Sequence, residues 1–319
     1  MDRKKISIVV SVYNEEKSLD EFYSEAVRIL ADLSWDWELI FVNDGSRDGS
    51  LEILRRLAAE DKRVKVINFS RNFGHEAAMI AGLDYAGGDG IACMDADLQH
   101  PLECIREITD KFDEGYEIVN MVRTKNKTAG IVKNITSAAF YSFINRVSDV
   151  KFEPNASDFF ALTANAAKVL RDNYREKVRF LRGYVQNIGF RRTTIQYEAR
   201  PRFAGESKYS IRSLMKFSIN TILCFSDLPL KLGIYSGVAV AFFGLLVMIY
   251  TIYTWAKFGA PSGYATIVVL LCFMFAVMFV LIGIIGEYIA ILFAELKDRP
   301  VYIVHDTENF DGKSEQADE

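Results

Sequence analysis

The four cysteines, at positions 93, 104, 224 and 272, are far apart, and no two of them form a C-x-x-C pair. A disulfide framework and a thiol-based zinc site are both excluded, and the four read as reduced packing residues. The three histidines, His75, His100 and His305, are too far apart in sequence to make a metal-ligand spacing. No G-x-G-x-x-G follows a strand-like segment and there is no Walker A sequence, so dinucleotide and P-loop readings lose their main support. No G-x-S-x-G or Ser/His/Asp arrangement stands out. Basic residues are not in excess: 38 Lys and Arg stand against 42 Asp and Glu. That balance argues against nucleic acid as a partner. The N-terminal apolar run is soon interrupted by Asn14, Glu15 and Glu16, too early for a signal peptide. The large N-terminal region is therefore expected to stay in the cytoplasm.

The C-terminal third lacks charge. Between Lys231 and Lys257 lie 25 uncharged residues, and between Lys257 and Glu287 another 29. Each stretch is long enough to cross a hydrocarbon core of about 30 Å as a helix. Spans are expected near 232–255 and 265–292, joined by a short turn into a hairpin. Cations flank the open end (Arg212, Lys216, Lys231, Lys297, Arg299) and one, Lys257, sits at the tip. By the positive-inside rule both termini face the cytoplasm. The expected location is the inner or plasma membrane, with a multi-pass anchor. Two spans do not readily enclose a pathway, which argues against a transporter. Gly237, Gly244, Gly283 and Gly286 permit close helix packing, and a homo-oligomer, with a tetramer as the guess, is expected from them.

The first 200 residues carry ordinary charge density and suffice for one large core. Strand-like runs at 6–12, 38–42, 64–69, 90–94 and 117–122 alternate with helical patterns at 15–33, 50–59, 75–85 and 101–113. This alternation predicts an α/β fold with a mainly parallel sheet wound by helices on both faces. A helix is expected at 164–173 and paired strands at 185–198. Residues 208–225 read as an amphipathic helix at the membrane interface. The domain reading is a catalytic domain at 1–205, a juxtamembrane helix at 206–230, the spans within 231–295 and a cytoplasmic tail at 296–319.

Such sheets bind ligands beyond the carboxyl ends of their strands. Asp95-Ala96-Asp97-Leu98-Gln99 leaves the fourth strand there. Asp95, Asp97 and Gln99 supply three oxygen donors on one alternation, suited to Mg²⁺ or Mn²⁺ bridged to a substrate phosphate. The plainer alternative is a polar loop before Pro101. Asp44, at the end of the second strand, either accepts from a ribose or base or belongs to a turn and N-cap. Tyr13, Asn14 and Glu15 end the first strand and can frame a base. Arg71 follows the third strand and can meet a phosphate. Between Arg191 and Lys216 there are seven cations and two acids. Two accounts of that run stand, attraction to anionic lipid or a phosphate pocket built from Arg202, Ser207 and Lys208.

These segments resemble a known family. VVSVYNEE at 9–16, VNDGSRDGS at 42–50, FSRNFGHEAAMIAGL at 69–83, MDADLQHP at 94–101, SDF at 157–159 and RFLRGY at 179–184 are similar to family 2 glycosyltransferases of GT-A fold. RFAGESKYS at 202–210 and GEYIAILFAELKDRPVYIV at 286–304 narrow the resemblance. They point to the polyprenyl-phosphate glycosyltransferases, the group of dolichol-phosphate mannose synthase and the bactoprenol glucosyltransferases. The resemblance implies transfer of a sugar from a nucleotide-sugar donor to a polyprenyl phosphate such as undecaprenyl phosphate. It implies that Asp95, Asp97 and Gln99 hold the cation and that Asp44 contacts the nucleoside. Asp158 would lie near the sugar, with Arg202 and Lys208 facing phosphates. Asp97, Asp158, Arg202 and Lys208 form the expected catalytic set. UDP-glucose is the first expectation for the donor, ahead of UDP-N-acetylglucosamine and GDP-mannose. One departure is clear: relatives often read Asp-Phe-Arg where this chain has Asp158-Phe159-Phe160. A processive polysaccharide synthase would need more spans and a Q-x-x-R-W motif. A non-catalytic nucleotide-sugar-binding protein is the alternative of a different class.

Overall fold

Every residue of Ile6–Val10 is buried, which requires cover on both faces of the strand they form. The computed structural model describes residues 3–124, 153, 156–177, 179–200, 228–259 and 263–310. Arg202, Ser207, Lys208 and the predicted interfacial helix lie outside the described residues. In chain order the elements begin β1 (Lys5–Val12), α1 (Leu19–Leu30), β2 (Asp36–Asn43), α2 (Ser50–Glu60) and β3 (Val64–Phe69). Next come α3 (His75–Tyr85), β4 (Gly90–Asp95), α4 (Cys104–Asp113), β5 (Ile118–Arg123), β6 (Ala156–Thr163) and α5 (Ala164–Asn173). The remainder are α6 (Leu181–Asn187), β7 (Arg192–Tyr197), α7 (Leu228–Phe258), α8 (Tyr264–Leu296) and β8 (Val304–Glu308).

Eight strands form one sheet in the order β7-β5-β6-β4-β1-β2-β3-β8. β4, β1, β2 and β3 run parallel, as do β5 and β7, while β6 and β8 are antiparallel to their neighbours. Alternation along β1 splits the core. Ile8, Val10 and Val12 join Phe22, Leu54 and Ile105 on the α1/α2/α4 side. Val9 joins Ile40, Ile67, Cys93 and α3 on the other. Helix α3 is buried all round from Ala77 to Leu83, as expected of a helix apolar on every side. It lies hard against β1: a Cβ on Gly82 would fall 2.0 Å from Val9 Cγ1. This close seat fixes the N-terminus of α3, with His75 and Glu76, at the carboxyl end of the sheet.

Two expectations change. Residues 185–198 are not paired strands. Leu181, Tyr184 and Val185 recur at helical spacing, bury into the α3/α5 core, and make α6. Gly189, at φ +77°, then turns the chain into β7. The expected tail also returns to the sheet, where β8 pairs antiparallel with β3. Tyr302 stacks on Phe69 with ring centroids 5.2 Å apart and donates to Asp84 at 2.7 Å. Ser70 N–H donates to the Ile303 carbonyl at 3.0 Å.

Helices α7 and α8 pack on each other, and Gly233 lies against Leu281. Both are long and apolar enough to cross a membrane, over Gly233–Lys257 and Val269–Leu296. Phe242, Tyr250, Phe279 and Leu292 point outward, the exposed apolar surface that a bilayer covers. Gly237, Gly244, Gly283 and Gly286 face open space.

Candidate active site

The loops after β1, β2, β3 and β4 converge because their strands are parallel neighbours. The first two interlock. Asn14, at φ +57°, accepts from the Arg47 N–H at 2.8 Å through its side-chain oxygen. Its own N–H donates to Ser46 Oγ at 3.0 Å, and the Glu15 N–H donates to Ser50 Oγ at 2.9 Å. Asp44 ties the second loop to the third. Its carboxylate accepts from Phe73 N–H at 2.6 Å, Gly74 N–H at 2.9 Å and Asn72 Nδ2 at 2.9 Å. Burial pushes the Asp44 carboxyl above its ordinary range, against the pull of these backbone bonds. Gly45 is needed for the same contact: at φ +64°, a Cβ there would sit 2.5 Å from the Arg71 carbonyl carbon.

A cavity of about 390 Å³ opens between these loops and β6. Of the residues singled out in the sequence, Tyr13, Glu15, Asp44, Asp95, Asp97, Gln99 and Asp158 line it. Asn14 and Arg71 do not. Asn14 is spent on the loop crosslink. Arg71 lies over the Phe73 ring, 4.0 Å from its centroid, beside a separate cavity with Asn43, Arg47, Arg55 and His305.

The Asp95 turn is held from both sides. Register pairs Ser11 of β1 with Asp95 of β4. Ser11 Oγ is 3.3 Å from Asp95 Oδ1 and 2.8 Å from His75 Nδ1. His75 Nδ1 lies 3.5 Å from Asp95, and its Nε2 lies 4.0 Å from Asp158. On the other side the Asp95 N–H donates to His100 Nδ1 at 3.1 Å, which places the proton of neutral His100 on Nε2. That ring is buried against Phe159, with centroids 5.2 Å apart. Leu98 takes φ +60°, and the Gln99 N–H donates to Asp97 Oδ1 at 3.1 Å, closing a tight turn. Strain of this kind, at a non-glycine residue, collects at functional sites.

Charge follows the geometry. Burial raises the Asp95 carboxyl, but His75, His100 and the Ser11 bond outweigh it and hold the carboxyl below its ordinary range. Burial lowers His75, and the carboxylates of Asp95, Asp158 and Glu76 outweigh that, so it ends raised. Burial dominates at His100, which is lowered. Glu76, under the cavity, is pushed up to about 7 by burial and then by Asp158. Asp158 itself is gripped by Arg182, with Nε at 2.7 Å from Oδ1 and Nη2 at 3.1 Å from Oδ2.

His75, His100, Asn72, Arg123 and Arg182 are therefore site residues that sequence reasoning passed over. The signal for the first two was their place in strand-end loops, not their spacing along the chain. Of the seven cations between 191 and 216, the three among the described residues have structural work; Arg192 donates to the Gln186 carbonyl at 3.1 Å. Arg191 stacks over Tyr116, and Arg200 bridges Glu25 and Glu103 at 2.6 Å each.

The cavity's donor set fits a hard dication. Asp95, Asp97 and Gln99 offer oxygens from one turn. Among the described residues no group of three or more His, Cys, Asp or Glu could enclose a metal alone. A pair of carboxylates that leaves coordination positions for substrate phosphates is the usual Mg²⁺ arrangement.

Comparison with known proteins gives two family matches. Glycosyl transferase family 2 matches residues 7–169, and the GtrB C-terminal hairpin matches residues 228–292. An uncharacterized glycosyltransferase YkcC of Bacillus subtilis is 40% identical over 310 residues, 96% of this chain and 95% of that protein. A bactoprenol glucosyl transferase of Shigella flexneri, derived from prophage SfII, is 35% identical over 94% of this chain and 97% of its own length. Among solved structures, glucosyl-3-phosphoglycerate synthase from Mycobacterium tuberculosis, with Mn²⁺, UDP-glucose and phosphoglyceric acid, aligns at TM-score 0.46 and 19% identity. That alignment covers 69% of this chain and 78% of the other.

Proposed function

The chain belongs to glycosyl transferase family 2 and is a glycosyltransferase of GT-A fold, and we propose that it moves a hexosyl group from a nucleoside-diphosphate sugar to the phosphate of a membrane polyprenol. The observation that carries this reading is the joint match. The same relative that is named for bactoprenol glucosyl transfer aligns across both the catalytic sheet and the two apolar helices. Glucose is the proposed sugar, from the name of the same relative, and UDP-glucose the proposed donor. The anchor is proposed to sit in the inner or plasma membrane with the catalytic domain and both termini cytoplasmic.

Asp95, Asp97 and Gln99 would hold Mg²⁺ or Mn²⁺. A bound dication neutralises the charge that develops on the departing nucleoside diphosphate. Tyr13, Glu15 and Asp44 line the end of the cavity assigned to the nucleoside. Asp158 reaches the cavity from β6 and is assigned to the sugar. The acceptor needs little activation, since a phosphate monoester has a second pKa of about 6. One phosphate oxygen forms the new bond to the anomeric carbon as the bond to the donor diphosphate breaks. The product is inverted at that carbon. Arg202, Ser207 and Lys208 are assigned to the phosphates.

The donor half of the proposal is tested by calorimetry of UDP with purified protein and Mg²⁺. Wild type is expected to bind in a metal-dependent way, and Asp97→Ala to lose most of that dependence. Equal metal-dependent binding by Asp97→Ala would remove Asp97 from the cation site.

A further inference from the structure

The cavity has a charge problem. Five carboxylates line it (Glu15, Asp44, Asp95, Asp97 and Asp158), and the basic side chains in the lining are Arg123 and His75. A donor diphosphate adds more negative charge. Glu15 accepts from Ser18 Oγ at 3.2 Å, Asp44 is stabilised by three donors from the 72–74 loop, and Asp95 and Asp97 are assigned to the dication. Asp158 is left, and β6 supplies no cation to it. Phe160, two residues on and on the same side of β6, is 3% exposed and packed among the α3 and α5 side chains.

Helix α6 supplies the guanidinium instead. Arg182 meets Asp158 with two nitrogens on two oxygens, at 2.7 and 3.1 Å. The Nη2 contact is a hydrogen bond and the Nε contact a close ion pair, so both carboxylate oxygens are held against the guanidinium. The helix that carries Arg182 is itself pinned. Leu181 N–H donates to Glu76 Oε1 at 3.2 Å, and Leu181, Tyr184 and Val185 are buried against α3 and α5. Held by Arg182 on one side, Asp158 also lines the cavity.

We propose that Arg182 is a positioning residue that acts through Asp158, holding its carboxylate as an oriented acceptor for a substrate hydroxyl. The proposal rests on the glycosyl-transfer reading above.

The test is a double-mutant cycle in detergent-purified full-length protein: wild type, Arg182→Met, Asp158→Asn and the pair. Label from nucleotide sugar is followed both into lipid and into free hexose released by hydrolysis. Arg182→Met is expected to lower kcat on the order of 10–100-fold, the scale of a misplaced reacting group, with donor KM changed less than about threefold. Arg182→Lys, which keeps the charge but offers one nitrogen in place of two, is expected to recover part of the rate. In the Asp158→Asn background, Arg182→Met is expected to change kcat by less than about threefold, because its partner is already altered. The proposal is overturned if Arg182→Met costs the same factor in both backgrounds, or if it raises donor KM at unchanged kcat. It is overturned as well if Asp158→Asn abolishes all turnover, which would make Asp158 an essential base. Should Arg182→Met fail to fold, Arg182→Lys carries the same cycle. Wild type that hydrolyses donor without labelling lipid overturns the acceptor reading alone, and the cycle is then read on hydrolysis. No turnover of any donor overturns both.

Discussion

Gly45→Ala is the substitution whose cost the structure defines most tightly. Gly45 follows Asp44 at φ +64°, and its added Cβ would meet the Arg71 carbonyl carbon at 2.5 Å, the Asn72 nitrogen at 2.6 Å and the Arg71 Cα at 2.9 Å. All three are backbone atoms, so no rotamer change relieves the contact. The left-handed conformation alone costs an alanine about 1–2 kcal/mol. The 71–74 loop must also back away by about 1 Å to reach ordinary contact distance. That displacement stretches the bonds from Phe73, Gly74 and Asn72 to the Asp44 carboxylate, now 2.6–2.9 Å. Hydrogen bonds to a charged group contribute about 1.5–3 kcal/mol each. Weakening two of them brings the total to about 4 kcal/mol or more. For a domain of this size that is a fall in Tm of roughly 10 °C. Gly189→Ala is the control: its φ is +77°, and nothing lies within 4 Å of the added Cβ. It should cost only the backbone term, about 1–2 kcal/mol. Thermal unfolding in detergent by tryptophan fluorescence measures both, and UDP binding should fall only in Gly45→Ala. If the two variants melt together and bind UDP equally, the claim that Gly45 permits the loop contact is wrong.

Burial raises Glu76 to about 7 from an ordinary value near 4.5. The folded state therefore holds a proton that the unfolded state has released between those two pH values, and stability should fall as pH rises through that window and level off above it. Glu76→Gln should flatten this profile and stabilise the protein at pH 8 by about 1–3 kcal/mol, as read from Tm against pH. Tyr302→Ala removes both the stack on Phe69 and the bond to Asp84. It should cost about 2–3 kcal/mol and make the chain between α8 and β8 sensitive to limited proteolysis, whereas Tyr302→Phe should keep most of that protection. Asp97→Ala should lower metal-dependent turnover on the order of 100-fold or more while leaving Tm within a few degrees of wild type.

The central strands were legible because each is rich in β-branched and other apolar residues over strand length. A strand buried on both faces needs no alternation to be recognised, and β1, β3 and β4 fall where those runs lie. The acidic turn after β4 was legible for a related reason, since ligands gather at the carboxyl ends of parallel strands. What could not be read was anything set by two distant segments meeting. His75 reaches Asp95 only because β1 and β4 are neighbours and α3 is seated on Val9, whereas His100 meets it within the same turn, five residues on. Arg182 reaches Asp158 only because Leu181, Tyr184 and Val185 make a helix, and the sequence pattern suggested paired strands from Val185 onward. Strand β8 was hidden by polarity: Asp306 pairs with Arg55 and Asn68, so an edge strand passed for a tail.

The central claim is that a membrane polyprenyl phosphate accepts the sugar. Purified protein in detergent, given undecaprenyl phosphate, Mg²⁺ or Mn²⁺ and a panel of radiolabelled nucleotide sugars, tests it directly by the label that enters the organic phase. The account predicts metal-dependent label from one donor, UDP-glucose first, and none when the unphosphorylated polyprenol replaces the phosphate. Folded protein that transfers from no donor, or that labels the free polyprenol equally well, would contradict it.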